Sequence, residues 1–388
     1  MPVQRRIAVA AAAATLMIGL SACAGAGAAV EEEGGDITLP AIEMLTGDVS
    51  YYGQLFMNGV ELAVDQVNAE GGIDGRKVRL VKEDNASGNT QTVTLLRTYC
   101  ADPSVGVLIA PTYQTNSDAG GPISNSCGLP TVTGVGDITE GTNPDGYMFK
   151  NTTVRLPDQV NDTLEYAIQK VGATTVSQIT DTSVGPYVLY QDAGSDYLAD
   201  QGVAEAGSQA VNGSLGSYGP QITALASADP DLVVVTLQPN DAAHFIEEAR
   251  DRGLEAQFVA TCGCLNDPSV YENSHGAAEG FLSSSPNPPP AEAAEISPKF
   301  DEFVQAYAEK FGEFTSPEAV YTYDSALMVF EAIRQAGSST DREKIKVALE
   351  DMTDFCGGLC YVNNGGGTFA TTELYFTRLT EAGFVIDE

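Results

Sequence analysis

Histidine is almost missing from this chain, with two in 388 residues, His244 and His275. Neither stands beside a serine or cysteine that the sequence can place as a nucleophile. The motifs that usually carry a nucleophile are missing as well: there is no G-x-S-x-G elbow, no P-loop and no G-x-G-x-x-G turn after a strand. His244 falls on an amphipathic helical stretch and is expected to be solvated, while His275 lies in a polar loop. Carboxylates are so abundant that no pair of them stands out as an acid–base couple. Nucleophilic and acid–base chemistry are thus left without a candidate, which fits a protein that binds without reacting. No cofactor is expected.

Positive charge is scarce too. Nineteen Lys and Arg face 53 Asp and Glu, for a net charge of −34. Nucleic acid, whose phosphates select basic surfaces, is excluded as a partner, and anionic lipid is disfavoured. Solubility at a cell surface, including one bathed in high salt, is the simplest consequence.

Long apolar runs are absent except at the start. Arg5 and Arg6 precede an apolar run over residues 7–20, too short and too rich in small residues for a stable membrane span. Leu20-Ser21-Ala22-Cys23 then fits a lipobox, in which a small-residue site is cut before a cysteine that becomes lipidated. An ordinary signal peptide that happens to contain a cysteine is the alternative. Several acyl chains on Cys23 would hold the protein at the outer face of the cell membrane, where one chain would not. The small, acidic and aperiodic residues 24–35 are expected to form a flexible tether.

Once Cys23 is set aside, six cysteines remain in an exported chain, where disulfides persist. Cys100 and Cys127 end two predicted helices that flank one strand, a plausible pair. Cys262, Cys264, Cys356 and Cys360 allow local bridges, 262–264 and 356–360, or cross-pairing between the two motifs. The C-x-C ring is small and strained. Zinc on the four sulfurs is a further alternative.

What the chain does contain is alternation of strand and helix. Its length suits two domains and buries roughly three quarters of the unfolded surface without metal or disulfide. Residues 45–84 hold the clearest unit. A strand over residues 37–44 breaks at Thr46-Gly47-Asp48. A helix follows, with Leu55, Phe56, Val60, Ala63, Val64 and Val67 on one face. Gly71-Gly72-Ile73-Asp74-Gly75 stops that helix, and Val78, Leu80 and Val81 form the next strand. Further strands are predicted over 105–110, 129–133, 147–154, 176–180, 232–236 and 257–261. Helices are predicted over 91–99, 118–126, 157–171, 189–206, 221–227, 241–251, 298–311, 317–336 and 341–349. Residues 207–219 resist placement, and 283–290 are predicted to be an extended connector. Strands near 361, 374–379 and 384–386 close the chain. The expected fold class is α/β, with two doubly wound parallel-sheet lobes.

The 45–84 unit resembles the opening of periplasmic binding proteins of the branched-chain amino acid type, the solute receptors of bacterial ABC importers. The matching residues are Leu45-Thr46-Gly47, Tyr52-Gly53, Asn58-Gly59, Asn68-Ala69-Glu70-Gly71-Gly72-Ile73, Gly75 and Asp84. The resemblance continues through 105–110, Leu129-Pro130, the Asp181 loop, the strand at 231–236 and the helix around 321–326. It implies two lobes joined by three crossovers, near 151–157, 283–290 and 355–362. Lobe one would span 36–153 plus 287–355, and lobe two 154–286 plus 356–388, with the ligand between them. It also implies a small-molecule solute and membrane permease subunits as partners, with the receptor expected to be a monomer.

Carried over by position, the site residues are Tyr52, Tyr113, Gln114, Thr115, Val135 and Asp137 from lobe one, and Ser183, Gln238 and Cys262 from lobe two. In amino acid binders the first-lobe loops offer hydroxyls and backbone N–H groups to the ligand carboxylate. Three positions depart from that pattern. The acid that pairs the ligand ammonium falls at Cys262; a tyrosine is missing from the Asp181 loop, where Val184-Gly185 stands; and another tyrosine position is Gln238. Asp137 replaces a small hydroxyl residue, and a carboxylate there would repel that of a ligand. A polyol, amide or cationic solute would suit such a site, unless Asp137 is a turn residue only. Two other functions fit the same sequence less directly: a ligand-sensing component for a membrane signalling partner, and a secreted α/β enzyme.

Overall fold

Alternating apolar strands and amphipathic helices assemble into two separate sheets. The computed structural model describes residues 35–135, 141–152, 154–289, 292–312, 318–371 and 373–387. The leader, Cys23, most of the tether, Asp137 and the Cys264 side chain lie outside them.

The first run comprises β1 (Ile37–Glu43), α1 (Ser50–Ala69), β2 (Val78–Asp84), α2 (Asn89–Cys100), β3 (Leu108–Ile109), α3 (Gln114–Cys127), β4 (Thr131–Gly134) and β5 (Met148–Thr152). The second comprises α4 (Leu156–Val171), β6 (Thr175–Asp181), α5 (Gly185–Gln201), β7 (Ala204–Glu205), β8 (Gln209–Val211), α6 (Gly219–Ala228), β9 (Leu232–Thr236), α7 (Pro239–Asp251), β10 (Gln257–Ala260), α8 (Ser269–Asn273) and β11 (Leu282–Ser285). The last comprises α9 (Ala293–Ile296), α10 (Pro298–Phe311), α11 (Ala319–Ala336), α12 (Arg342–Asp351), β12 (Asp354–Cys356), β13 (Cys360–Asn363), β14 (Thr368–Ala370), β15 (Tyr375–Thr380) and β16 (Gly383–Ile386).

Sheet one has the order β12-β13-β14-β5-β4-β3-β1-β2, and sheet two β16-β15-β11-β10-β9-β6-β7, with β8 beside β6. Each has a parallel centre, closed at one side by an antiparallel hairpin from the C-terminal tail. β9 is buried at all five positions, as a strand covered on both faces must be. On sheet one, α1, α10, α11 and α12 cover one large apolar core, and residues of α2 pack in a smaller one on the other face. On sheet two, α6 and α7 cover one face and α4 and α5 the other.

Four expectations change. Only Leu108 and Ile109 join the ladder as β3, although residues 105–110 are all buried. The connector at 283–290 contains a buried strand, β11, hidden in the sequence by its serines. Their hydroxyls are partnered inside: Thr163 Oγ1 donates to Ser284 Oγ at 2.7 Å, and Asn287 N to Ser285 Oγ at 3.0 Å. The helix expected from 189 begins at Gly185, with Pro186 in its first turn. Finally, β12 to β14 stay in sheet one and the chain passes to sheet two only between β14 and β15. The third crossover therefore falls near 371–374 rather than 355–362.

Cys100 and Cys127 are bridged, joining the ends of α2 and α3. Cys356 pairs locally with Cys360 and Cys262 is also disulfide-bonded, which removes cross-pairing between the motifs and a four-sulfur zinc site. No described helix is long and apolar enough to cross a membrane.

Candidate functional site

In open α/β sheets the carboxyl ends of the strands deliver loops to a common edge, and ligands sit there. At the end of β1 the loop is tied down before α1 begins. Thr46 donates to Asp84 through its backbone N at 3.1 Å and its hydroxyl at 2.6 Å, and Ser87 Oγ donates to the Thr46 carbonyl at 2.8 Å. Burial pushes the Asp84 carboxyl up, but the hydrogen bonds from Thr46, Ala86 and Leu45 outweigh it and hold the pKa below its usual value. A methyl group on Gly53 would come within 2.2 Å of the Met44 carbonyl oxygen, so only glycine lets α1 start this close to β1. This fixes Tyr52, partly buried and edge-on to exposed Tyr51, with ring centroids 5.4 Å apart.

At the end of β6, the first turn of α5 holds Tyr187, only 6% exposed. Burial raises its pKa well above the usual value, and Tyr52, Glu318, Asp181 and Tyr113 push it further. Tyr52 is raised by burial first, then by Glu318, Tyr51, Asp267 and Tyr113. Both phenols stay protonated at neutral pH and can donate hydrogen bonds. Tyr52, Tyr113 and Glu318 come from lobe one; Tyr187, Asp181 and Asp267 come from lobe two. Val184 and Gly185 stand at the Asp181 loop as expected, and Tyr187 follows in the first turn of α5.

Glu318 directly precedes α11 and is partly buried; burial pushes its carboxyl up to about 7. Its position is set by packing. A methyl on Gly59 of α1 would lie 2.2 Å from the Ala319 carbonyl oxygen, and Thr322 Oγ1 donates to the Phe56 carbonyl at 2.6 Å. Tyr321, one turn on, ties the lobes' connections together. Asn151 Nδ2 donates to its carbonyl at 2.6 Å, and Asn287 Nδ2 to its hydroxyl at 3.0 Å.

The other expected site residues are disposed as follows. Tyr113 is partly buried, and Thr115 is exposed. α3 begins at Gln114, four residues before the expected helix. Gln114 Nε2 donates to Asp118 at 2.8 Å, and Gln114 Oε1 accepts from the fully buried Lys150 at 3.3 Å. Lys150 is 3.7 Å from the Asp118 carboxylate. Gln114 therefore braces its own lobe. Val135 has φ 58°, a left-handed conformation that is rare for a β-branched residue and costs roughly 1–3 kcal/mol. Its N–H bonds the Asn151 carbonyl at 3.0 Å. Ser183 Oγ donates to Asp181 at 2.7 Å, and Gly213 N donates to the same carboxylate at 2.8 Å. Gln238 is partly buried at the start of α7. Cys262 is 1% exposed and disulfide-bonded, so it presents no thiol to a ligand. His244 is partly buried, edge-on to Tyr218, and exposed His275 meets Glu247 at 2.9 Å.

Sequence reasoning passed over Tyr187, Asp267 and Glu318. Tyr187 was hidden by the late helix start. An acid just before an apolar helical run has an ordinary reading as a helix-end charge, so Glu318 raised no signal. A row of hydroxyls was also missed. Thr180, Thr236 and Thr261 lie at the carboxyl ends of adjacent strands β6, β9 and β10, buried and without a protein hydrogen-bond partner.

Two open, mostly parallel sheets, each covered by helices on both faces, define a two-lobed α/β protein. The sequence pattern of the periplasmic binding protein family matches residues 36–383, and the chain belongs to that family. Leu/Ile/Val-binding protein homolog 7 of Brucella melitensis is 24% identical over 333 residues, covering 81% of this chain and 80% of the relative. The fold is similar to the leucine-binding protein LivK of Thermotoga maritima, with TM-score 0.75, 21% identity and 91% and 98% of the two chains covered. LivJ of Streptococcus pneumoniae in complex with isoleucine gives TM-score 0.76, 21% identity and coverage of 90% and 97%.

Proposed function

We propose that the protein is the extracytoplasmic solute receptor of an ABC importer, binding a small polar solute such as an amino acid or a related compound by closure of its two lobes. One observation carries this reading. The periplasmic binding protein pattern spans residues 36–383 of a chain folded into two open α/β sheets, with Tyr52 following β1 and Tyr187 following β6 at the carboxyl ends of their strands. Closure about the three connections would exclude water and let both lobes touch the solute. Membrane permease subunits would then recognise the closed form. Tyr52, Tyr113 and Val135 are the expected first-lobe contacts. Ser183 and Gln238 stand at second-lobe loop ends, where a solute could reach them. Cys23 carries the lipid in this reading, the receptor works as a monomer, and its role is capture without turnover. Lobe one takes in residues 36–153 and about 287–371, with the remainder of the folded chain in lobe two.

Mass spectrometry of protein extracted from its native membranes tests these points together. The expected result is a chain beginning at acylated Cys23, with a small solute released on heating and recovered unaltered. An unacylated chain removes the anchor, and chemical conversion of the solute by pure protein overturns the receptor role.

A further inference from the structure

Among the described residues, the bridge most open to solvent lies on the hairpin that closes sheet one. Cys356 ends β12 and Cys360 begins β13; they face each other in the ladder, and both are exposed. Cys100 and Cys127 are partly buried, and Cys262 is 1% exposed. The residues between Cys356 and Cys360 turn inward. A methyl on Gly357 would lie 2.0 Å from Asp324 Oδ1, and one on Gly358 2.5 Å from Val320 Cγ2, so the loop lies hard against α11. Asp324, fully buried, accepts from Gly358 N at 2.6 Å, Leu359 N at 3.0 Å and the Tyr361 hydroxyl at 2.9 Å. These bonds pull its carboxyl down against burial, which still holds it at about 7. Asp324 lies one turn beyond Tyr321, which receives Asn151 and Asn287 from two of the lobe connections. Ser325, the next residue of α11, donates to Asn151 Oδ1 at 2.6 Å.

We propose that Cys356–Cys360 is a thiol-exchange site, whose reduction by an extracytoplasmic dithiol frees residues 357–359 from Asp324 and loosens α11 where the two lobe connections join it. In the exchange, one thiolate of the reductant attacks one bridge sulfur, and the other bridge sulfur leaves as a thiolate and takes up a proton. The reductant's second thiol then displaces the mixed disulfide. The chain gains two electrons and ends with two thiols, and the reductant ends as a disulfide. Access governs such an exchange, and exposure at both cysteines supplies it here. The bridge spans a sequence separation of 4, against 27 for Cys100–Cys127, and a shorter loop restrains the unfolded chain less. Its main effect is therefore local order. Gly357 and Gly358 have the largest backbone freedom to lose, and the bridge limits it while the loop's amides meet the carboxylate. Once the bridge opens, that freedom competes with the two amide hydrogen bonds, and a buried carboxylate short of donors is costly.

The test titrates the purified, oxidised full chain with dithiothreitol under native conditions. Free thiols are trapped with iodoacetamide and located by peptide mass spectrometry, and hydrogen exchange is read on the same samples. Cys356 and Cys360 are expected to be alkylated at a dithiothreitol concentration at least tenfold below that needed for Cys100, Cys127 or Cys262. The amides of residues 358–361 should then exchange at least tenfold faster, and those of 321–325 at least threefold faster. The double variant Cys356→Ser, Cys360→Ser, altered at exposed positions only, should show the same exchange without reductant. If Cys100–Cys127 opens at the same concentration or below it, the site has no selectivity and the proposal falls. Unchanged protection of the loop or of 321–325 in the folded double variant also overturns it. That result would show that Leu359, buried in the core of lobe one, anchors the loop without the bridge.

Discussion

Glu43 ends β1 with its carboxyl fully buried, accepting from the Thr112 hydroxyl at 2.6 Å. Burial pushes its pKa up to about 8, against the hydrogen bonds from Thr112. The folded chain therefore holds this proton more tightly than the unfolded chain, whose carboxyl titrates near 4.5. Stability from the neutral form is full below about 4.5, declines as pH rises and is gone above about 8. The slope is on the order of 1.4 kcal/mol per pH unit inside that window, before any relaxation of the site. Glu43→Gln should flatten the fall in melting temperature between pH 5 and pH 8, leaving the variant relatively more stable at the alkaline end. Parallel slopes for the two proteins would show that Glu43 is not the group responsible. Because Thr112 adjoins Tyr113, the same carboxyl also fixes a loop of the cleft.

At the scale of elements, two clamps hold lobe one. The Arg342 guanidinium, at the first position of α12, donates to the carbonyls of Val105 at 3.0 Å, Cys100 at 3.1 Å, Tyr99 at 2.9 Å and Asp102 at 2.8 Å. It thereby caps the end of α2, which the Cys100–Cys127 bridge already ties to α3. Arg342→Ala should cost roughly 2–4 kcal/mol in urea unfolding, since several carbonyls lose a charged donor at once. A loss under half a kcal/mol would show that water replaces the guanidinium without penalty. The second clamp is the α1–α11 contact at Gly59. Gly59→Ala places a methyl against the Ala319 carbonyl and forces the helices apart, at a cost of about 1–3 kcal/mol. A loss under half a kcal/mol in urea unfolding would show that the two helices shift apart without penalty.

For the whole molecule, charge is the dominant feature. A net charge of −34 makes the folded state self-repelling at low ionic strength. Screening at high salt should relieve it, because the Debye length falls from about 10 Å at 0.1 M to about 3 Å at 1 M. The melting temperature is expected to rise with sodium chloride over that range. A flat or falling profile would mean that local ion pairs such as Lys310 with Glu61 and Asp65 outweigh the global term.

The sequence alone determined the scaffold, because strand and helix periodicity and glycine stops are local properties. β9 emerged at its observed bounds, α10 likewise, and the Thr46 and Asp84 positions singled out by family resemblance are hydrogen-bonded to each other. The reach of the C-terminal tail was not legible, because sheet membership depends on which edge remains unpaired after the lobes form. β11 was obscured because its polarity is satisfied by partners distant in the chain, such as Thr163. The cleft was legible only in part. Tyr52 and Tyr113 were named from the family resemblance, whereas the row of buried hydroxyls Thr180, Thr236 and Thr261 exists only because β6, β9 and β10 lie side by side. Neighbourhood across strands is a property of distance in space, and only the tertiary structure decides it.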